Sequence, residues 1–323
     1  MKSVPRVSVI MPVYNAEPFV GQALKSILDQ TFRDFELIIV DDGSGDRSRE
    51  IVRSFHDERI VSIENGRNLG LTASLNVGLE KAQGEFIARQ DADDLSLPER
   101  LEKQVAFLDS HPTVGLVGCA LTVINDVGNA LTAIPSVVEP LEISAVLSQR
   151  NPIAHGTAVI RRTCLEKTGP YREEFPYAQD YDLWLRIAEI AEVANIPGLL
   201  YQWRITRGSI TLGKKRLQDR FSRLAAELAL ERRTNGKDRL QIAGPGNRRR
   251  EDLIPRSRPN RRKAADDYRF WSWLAMESGY RGLALTLIMR ALTADPLRPA
   301  NWKTATRNLI GLFQGSAGSA KER

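Results

Sequence analysis

Glu36-Leu37-Ile38-Ile39-Val40-Asp41-Asp42-Gly43-Ser44 is a short aliphatic run that ends abruptly in two carboxylates and a turn. A β-branched run of this length, bounded by turn residues, reads as a buried strand over Leu37–Val40. The same figure recurs on both sides. Upstream, Val7-Ser8-Val9-Ile10-Met11 reads as a strand stopped by Pro12, and downstream Phe86-Ile87-Ala88 runs into Asp91-Ala92-Asp93-Asp94. Between the strands, Phe19, Val20, Ala23, Leu24, Ile27 and Leu28 recur at helical spacing, which predicts an amphipathic helix over Glu17–Gln30. A short helix near Arg47–Phe55, a strand at Ile60–Ile63 and a helix from about Leu71 follow. Pro98 then stands where a proline suits a helix start, ahead of Glu99–Leu108. Strands alternating with helices predict an α/β domain with a mainly parallel sheet. In such sheets ligands gather beyond the carboxyl ends of the strands, and both acidic clusters lie there.

Beyond Val114 the pattern is less regular, with a strand at Ala158-Val159-Ile160 and a helix around Tyr181–Glu189. With 42% hydrophobic and 27% charged residues, neither disorder nor a membrane bundle is indicated. No apolar run approaches the roughly 18–20 residues of a membrane span. Met1–Met11 lacks the apolar core and cleavage site of a secretory signal, so a cytoplasmic protein is expected. Cys119 and Cys164, with His56, His111 and His155, show no zinc-ligand spacing, and two thiols make no disulfide framework. The charge is uneven. Lys214–Lys263 carries 17 Lys or Arg against 6 Asp or Glu, a net of +11, which leaves −5 for the rest of a chain of net +6.

Two carboxylates spaced Asp-x-Asp can offer hard oxygen ligands to Mg²⁺ or Mn²⁺ while diphosphate oxygens supply others. A chain of this length holds about one such pair by chance, and this one has Asp91-Ala92-Asp93 and Asp180-Tyr181-Asp182. The first directly follows an apolar strand, where carboxylates project into the ligand crevice. Asp94 is better suited to a helix N-cap ahead of Pro98. Asp41 and Asp42 either accept from a nucleobase imide or a ribose hydroxyl, or form a solvated Asp-Gly-Ser turn. Asp182 reads as an ion-pairing residue on a helix surface. Trp184 reads as core, and His155 either lines an acceptor pocket or is structural.

Taken in order, Val7-Ser8-Val9-Ile10-Met11-Pro12-Val13-Tyr14-Asn15, Ser26–Thr31, Glu36–Ser44, Asn68-Leu69-Gly70, Asn76-Val77-Gly78, Ala82–Ile87 and Asp91–Asp94 resemble the family 2 glycosyltransferases across about residues 5–210. The resemblance implies a GT-A fold and inverting transfer from a nucleoside-diphosphate sugar. It implies that Pro12 and Tyr14 lie near the base, Asp42 contacts the uracil or its equivalent, Asp91 approaches the ribose and Asp93 ligates Mn²⁺ or Mg²⁺. Asp180 would be the general base. The family's Glu-Asp pair is Gln179-Asp180 here, so the base is kept and the glutamate's acceptor contact is not. Tyr201–Thr211 resembles the loop that folds over the donor, where Arg204 and Arg207 would clamp diphosphate bidentately or form a solvated basic loop.

These readings divide the chain into a catalytic domain at 1–212, a basic helix and flexible linker at 213–263, and a small helical C-terminal region at 264–323. The acceptor would be a glycan or a lipid-linked sugar. The basic stretch holds one aromatic residue, Phe221, too few for stacking on nucleic acid, so no nucleic-acid partner is expected. Either attraction to an anionic membrane face or a linker that merely stays soluble suits it better. A sugar-nucleotide pyrophosphorylase would open with a glycine-rich basic loop, which Pro12-Val13-Tyr14-Asn15 is not. The retained acidic residues argue against an inactive binding scaffold.

Overall fold

The computed structural model describes residues 4–206, 214–244, 247, 249–258 and 260–318. The chain alternates as read: β1 (Val7–Val13), α1 (Val20–Leu28), β2 (Phe35–Asp41), α2 (Ser48–Ser54), β3 (Ile60–Glu64), α3 (Leu71–Lys81) and β4 (Phe86–Arg89). Then come β5 (Leu95–Ser96), α4 (Arg100–Ser110), β6 (Val114–Ile124), β7 (Ala130–Ile134), α5 (Pro140–Leu147), β8 (Val159–Arg161), α6 (Arg162–Thr168), α7 (Gln179–Ile187) and β9 (Glu192–Arg204). The helices α8 (Lys215–Asn235), α9 (Arg239–Ala243), α10 (Arg261–Glu277), α11 (Arg281–Ala294) and α12 (Pro299–Gly318) close the order.

One nine-stranded sheet runs β3-β2-β1-β4-β8-β6-β9-β5, with β7 beside β6. Its first four strands are parallel, with Val9 opposite Leu37 and Ala88, and Val13 opposite Asp41. From β8 onward the pairing turns antiparallel, so the sheet is mixed and its parallel half carries the acidic strand ends. Every residue of β1 is buried. Helices on both faces explain why β1 reads as a continuous apolar run instead of an alternating one. The strand also continues through Pro12 to Val13, where the sequence suggested a stop. Pairing with β4 ends at Ile10, so by Pro12 that side of β1 needs no further donor.

Two compact units emerge. The first comprises Met1–Val123, Thr132–Arg204 and Arg216–Arg256. This unit therefore does not stop near 212, because the basic helix α8 is built into its core. Phe221, Leu224, Ala225, Leu228 and Ala229 recur at helical spacing and are buried with Phe175, Leu183 and Leu240. Phe221 meets Phe175 edge-on with ring centroids 5.7 Å apart. Buried ion pairs reinforce the join. Arg172 bridges Asp182 (3.4 Å) and Asp238 (2.8 Å), and Arg232 bridges Asp238 (2.6 Å) and Glu189 (2.8 Å). Within the basic segment, Lys215, Arg232 and Arg239 are matched by carboxylates of the chain.

The second unit takes Ile124–Leu131, Ile205–Lys215 and Ser257–Arg323 as far as these are described. Its helices are pinned by buried polar side chains. Asn308 donates to Ser272 Oγ at 2.8 Å, and Asn301 donates to the carbonyls of Ala291 and Asp295. Among the described residues, no helix is long and apolar enough to cross a membrane.

Because Leu228 is fully buried against this core, Leu228→Ala should lower unfolding free energy by about 2–5 kcal/mol. Asp238→Ala, which strips a shared partner from Arg172 and Arg232, should cost a similar amount, about 3–5 kcal/mol. Urea unfolding of both variants measures this. Unchanged midpoints would show that α8 is not part of the folding unit.

Candidate active site

Asp41 and Asp42 leave β2 on opposite errands. Asp41 Oδ1 accepts from the backbone N–H of Gly43 (3.1 Å) and Ser44 (3.0 Å) and lies 3.2 Å from Arg49 Nε, closing the turn. Gly43 holds φ +74°, and a Cβ there would sit 2.6 Å from the backbone of Arg67, so only glycine fits. Asp42 takes the backbone N–H of Leu69 and Gly70, each at 2.8 Å, and the Asn65 amide at 2.9 Å. It therefore moulds the 65–70 loop, and any nucleobase contact must use its remaining lone pairs. Pro12 is enclosed within β1, whereas Tyr14, just past the strand end, is 51% exposed.

The end of β4 concentrates charge. Arg89 is buried, and its Nη2 donates to Asp91 Oδ1 at 2.6 Å while Nη1 reaches the Ile10 carbonyl at 3.2 Å. Burial, and then the neighbouring Asp91, push the Asp93 carboxyl up to about 6. Asp94, buried and beside both, is pushed well above its ordinary range. Asp94 caps no helix. Its Oδ1 accepts the Arg204 backbone N–H at 2.7 Å, tying the acidic turn to the end of β9.

Arg204, expected to clamp diphosphate directly, is 1% exposed and committed to the protein. Its Nε donates to the Asp93 carbonyl (2.8 Å) and its Nη2 to Gln22 (2.9 Å), and it lies over the Phe19 ring. It braces the backbone that carries Asp93 instead of projecting into the crevice. Tyr201–Arg204 are the last residues of β9, not a loop, and Arg207 lies outside the described residues.

α7 delivers Asp180 to the same edge. Ala178, just before it, adopts φ +55°, a left-handed conformation uncommon for a residue with a Cβ and frequent at functional sites. Asp180 Oδ2 accepts from Asn151 Nδ2 at 2.7 Å. The side chain keeps partial contact with solvent but is densely surrounded by protein. Burial pushes its carboxyl up to about 6, with the negative charge of Asp91 adding to the shift. Tyr171, whose ionisation is opposed by burial and then by both Asp180 and Asp91, hydrogen-bonds His155 Nε2 at 2.9 Å. Burial, then Arg89, hold His155 well below its usual pKa, so it is neutral. Gly156 permits the close approach, since a Cβ there would meet Tyr201 Oη at 2.1 Å and Asp91 Oδ2 at 2.9 Å.

The structure thus brings Asp91 within electrostatic reach of both Asp93 and Asp180, and turns Asp182 elsewhere. That residue is buried between Arg186 (2.9 Å) and Arg172 (3.4 Å), an ion pair inside the fold and not on a helix surface. Trp184 is core, its Nε1 donating to the Ile153 carbonyl. Arg89, Asn151 and Tyr171 escaped the sequence reading. Only Arg89 had a local signal, as a charge closing a buried apolar strand. Among the described residues no three His, Cys, Asp or Glu side chains form a ready-made metal cage. One or two carboxylates completed by phosphate oxygens and water is the arrangement Mg²⁺-type sites use. A cation beside Asp93 and Asp91 would relieve the repulsion that raises Asp93.

The sequence profile of Glycosyl transferase family 2 matches residues 8–169. EpsE of Bacillus subtilis (strain 168) is 40% identical over 195 residues, 58% of this chain and 69% of EpsE. WfgD of Escherichia coli, a UDP-Glc:α-D-GlcNAc-diphosphoundecaprenol β-1,3-glucosyltransferase, is 31% identical over 211 residues, 64% of this chain and 80% of WfgD. Among solved structures, the mannosyltransferase PcManGT from Pyrobaculum calidifontis, in complex with GDP-Man and Mn²⁺, superposes with a TM-score of 0.55. That match covers 96% of this chain and 81% of PcManGT at 23% identity, a likeness of fold.

A carboxyl whose pKa is raised by folding favours the protonated folded state, so its stabilising contribution is present at low pH and lost as pH rises through about 6. Asp180→Asn, which keeps an acceptor for Asn151, should therefore melt at the wild-type temperature or higher above pH 6. The gap should close below about pH 4. A melt clearly lower than wild type at pH 7.5 would mean that ionised Asp180 stabilises the fold.

Proposed function

Because the chain belongs to glycosyltransferase family 2, we propose that it is an inverting enzyme moving a sugar from a nucleoside-diphosphate sugar to a hydroxyl of a glycan or lipid-linked acceptor. The donor is UDP-linked and the product a cell-surface polysaccharide, readings supported by the donor and lipid-linked acceptor in the name of WfgD. The observation that carries the mechanism is that Asp180, at the start of α7, stands near enough to Asp91, just beyond β4, for the charge of Asp91 to oppose its ionisation.

Tyr14, half exposed, receives the base, with Asp42 reached through its remaining lone pairs. Asp91, held at one oxygen by Arg89, turns the other toward the ribose. Asp93 would hold Mn²⁺ or Mg²⁺, and a cation there would offset the negative charge that builds on the departing diphosphate. The acceptor hydroxyl enters on the face opposite the diphosphate. Its proton passes to Asp180 as its oxygen bonds the anomeric carbon and the carbon–oxygen bond to the diphosphate breaks. One displacement inverts the centre, and no second carboxylate is needed as nucleophile.

The acceptor is met at the cytoplasmic face of an anionic membrane, to which exposed cations such as Arg256, Arg258, Arg261 and Arg262 would be attracted. Lys215, Arg232 and Arg239 contribute less, being paired with carboxylates.

A thermal-shift series with UDP, GDP, TDP and CMP sugars, with and without Mn²⁺, tests the donor and the metal together. A donor at 100 times its dissociation constant adds about 2.7 kcal/mol of apparent stability. The UDP-sugar should raise the melting temperature in Mn²⁺, and Asp93→Asn should remove the metal-dependent part of the rise. An equal metal-dependent rise in Asp93→Asn would overturn the ligand assignment.

A further inference from the structure

The Asp180 carboxylate, at the start of α7, is steadied by the backbone N–H groups of Tyr181 and of Asp180 itself, and by one side chain. Oδ2 lies 2.7 Å from Nδ2 of Asn151, which stands 29 residues earlier in the chain. The donating amide is held at its other end, since Asn151 Oδ1 accepts the Ile153 N–H at 3.1 Å. The NH₂ therefore cannot turn from the carboxylate without giving up that bond. Pro152 stiffens the link with its fixed φ. Ile153 is buried, and its carbonyl accepts from Trp184 Nε1 at 3.3 Å, so this short clip is fastened to α7, the helix that bears Asp180.

An unpinned carboxylate rotates and offers either oxygen, whereas a pinned one offers a single oxygen in a single plane, which is what proton transfer rewards. A neutral amide orients the carboxylate while depressing its basicity less than an arginine or lysine would. We infer that Asn151 is a positioning residue that occupies Oδ2 of Asp180 and leaves Oδ1 as the oxygen that takes the acceptor's proton. This inference rests on Asp180 being the base.

The other charged and titratable groups around Asp180 are independent of Asn151. Asp91, gripped by Arg89, is near enough for its charge to oppose ionisation, and Tyr171, bonded to neutral His155, lies within electrostatic reach. Asp182, on Asp180's own helix, is turned to Arg172 and Arg186. A change in the pH profile on altering Asn151 therefore reports the lost hydrogen bond.

The test compares Asn151→Ala, Asn151→Asp and Asp180→Asn for kcat, donor KM and the pH dependence of transfer. Asn151→Ala should lower kcat tenfold or more, leave donor KM within about twofold and move the acidic limb up by roughly half to one pH unit, the scale of one hydrogen bond. Asn151→Asp conserves volume and the acceptor for Ile153, so it carries the test if the alanine variant does not fold. Facing one carboxylate with another, it should move the limb further up. A folded variant with unchanged kcat and limb, or with kcat and donor KM degraded together at an unmoved limb, would overturn the inference. Near-normal turnover in Asp180→Asn would sink the base assignment itself. An inactive Asp180→Asn beside a normal Asn151→Ala would sink only the positioning role.

Discussion

Carboxylates crowded where water is scarce repel one another, and the parallel half of this sheet is arranged to keep Asp91, Asp93 and Asp94 together despite that repulsion. Each stands at the carboxyl end of β4, and burial alone disfavours ionisation of Asp93 and Asp94. The offset comes from arginines behind the turn. Arg89 grips Asp91, and Arg204 holds the backbone of Asp93 and, through its own N–H, the Asp94 carboxylate. Arg100, fully buried, sits under the Tyr201 ring and donates to Gln90, Ser96 and the Arg89 carbonyl. Buried networks of this kind stabilise only when nearly every donor is satisfied, and here the donors are shared among β4, α4 and β9.

Carboxyls raised to about 6 at Asp93 and Asp180 lower stability at neutral pH, which fits the roles proposed for them. A divalent cation beside such a cluster would offset its charge. A base near 6 is also largely ionised at neutral pH while remaining basic enough to accept a proton.

The parts of the fold legible in the sequence are those whose signal is local. The runs at Val7–Met11, Leu37–Val40 and Phe86–Ala88 announce strands because each is buried on both faces and ends in turn chemistry. Asp91 and Asp93 are readable because position and spacing agree. The antiparallel half was less visible: β6 mixes glycines with apolar residues, and its pairing with β8 spans over forty residues. In α8 the buried positions Phe221, Leu224, Leu228 and Ala229 keep helical periodicity, but the surrounding lysines and arginines suggest a solvated segment until their carboxylate partners are seen. Arg204 looks like a ligand clamp from sequence because nothing local reveals that Gln22 and the Asp93 carbonyl occupy it. Asn151 carries no signal at all, for its meaning lies in a contact with Asp180.

The central claim is that one carboxylate activates the acceptor opposite a departing diphosphate, in a single displacement. The most direct test is the proton NMR spectrum of the first product formed from an α-linked UDP-sugar, read at the anomeric resonance. The account predicts the large vicinal coupling of a β-glucoside-type linkage from a gluco-configured donor, with the wild-type enzyme and Mn²⁺. An α-linked product, with configuration retained, would contradict it, since retention requires either a second displacement or front-face attack.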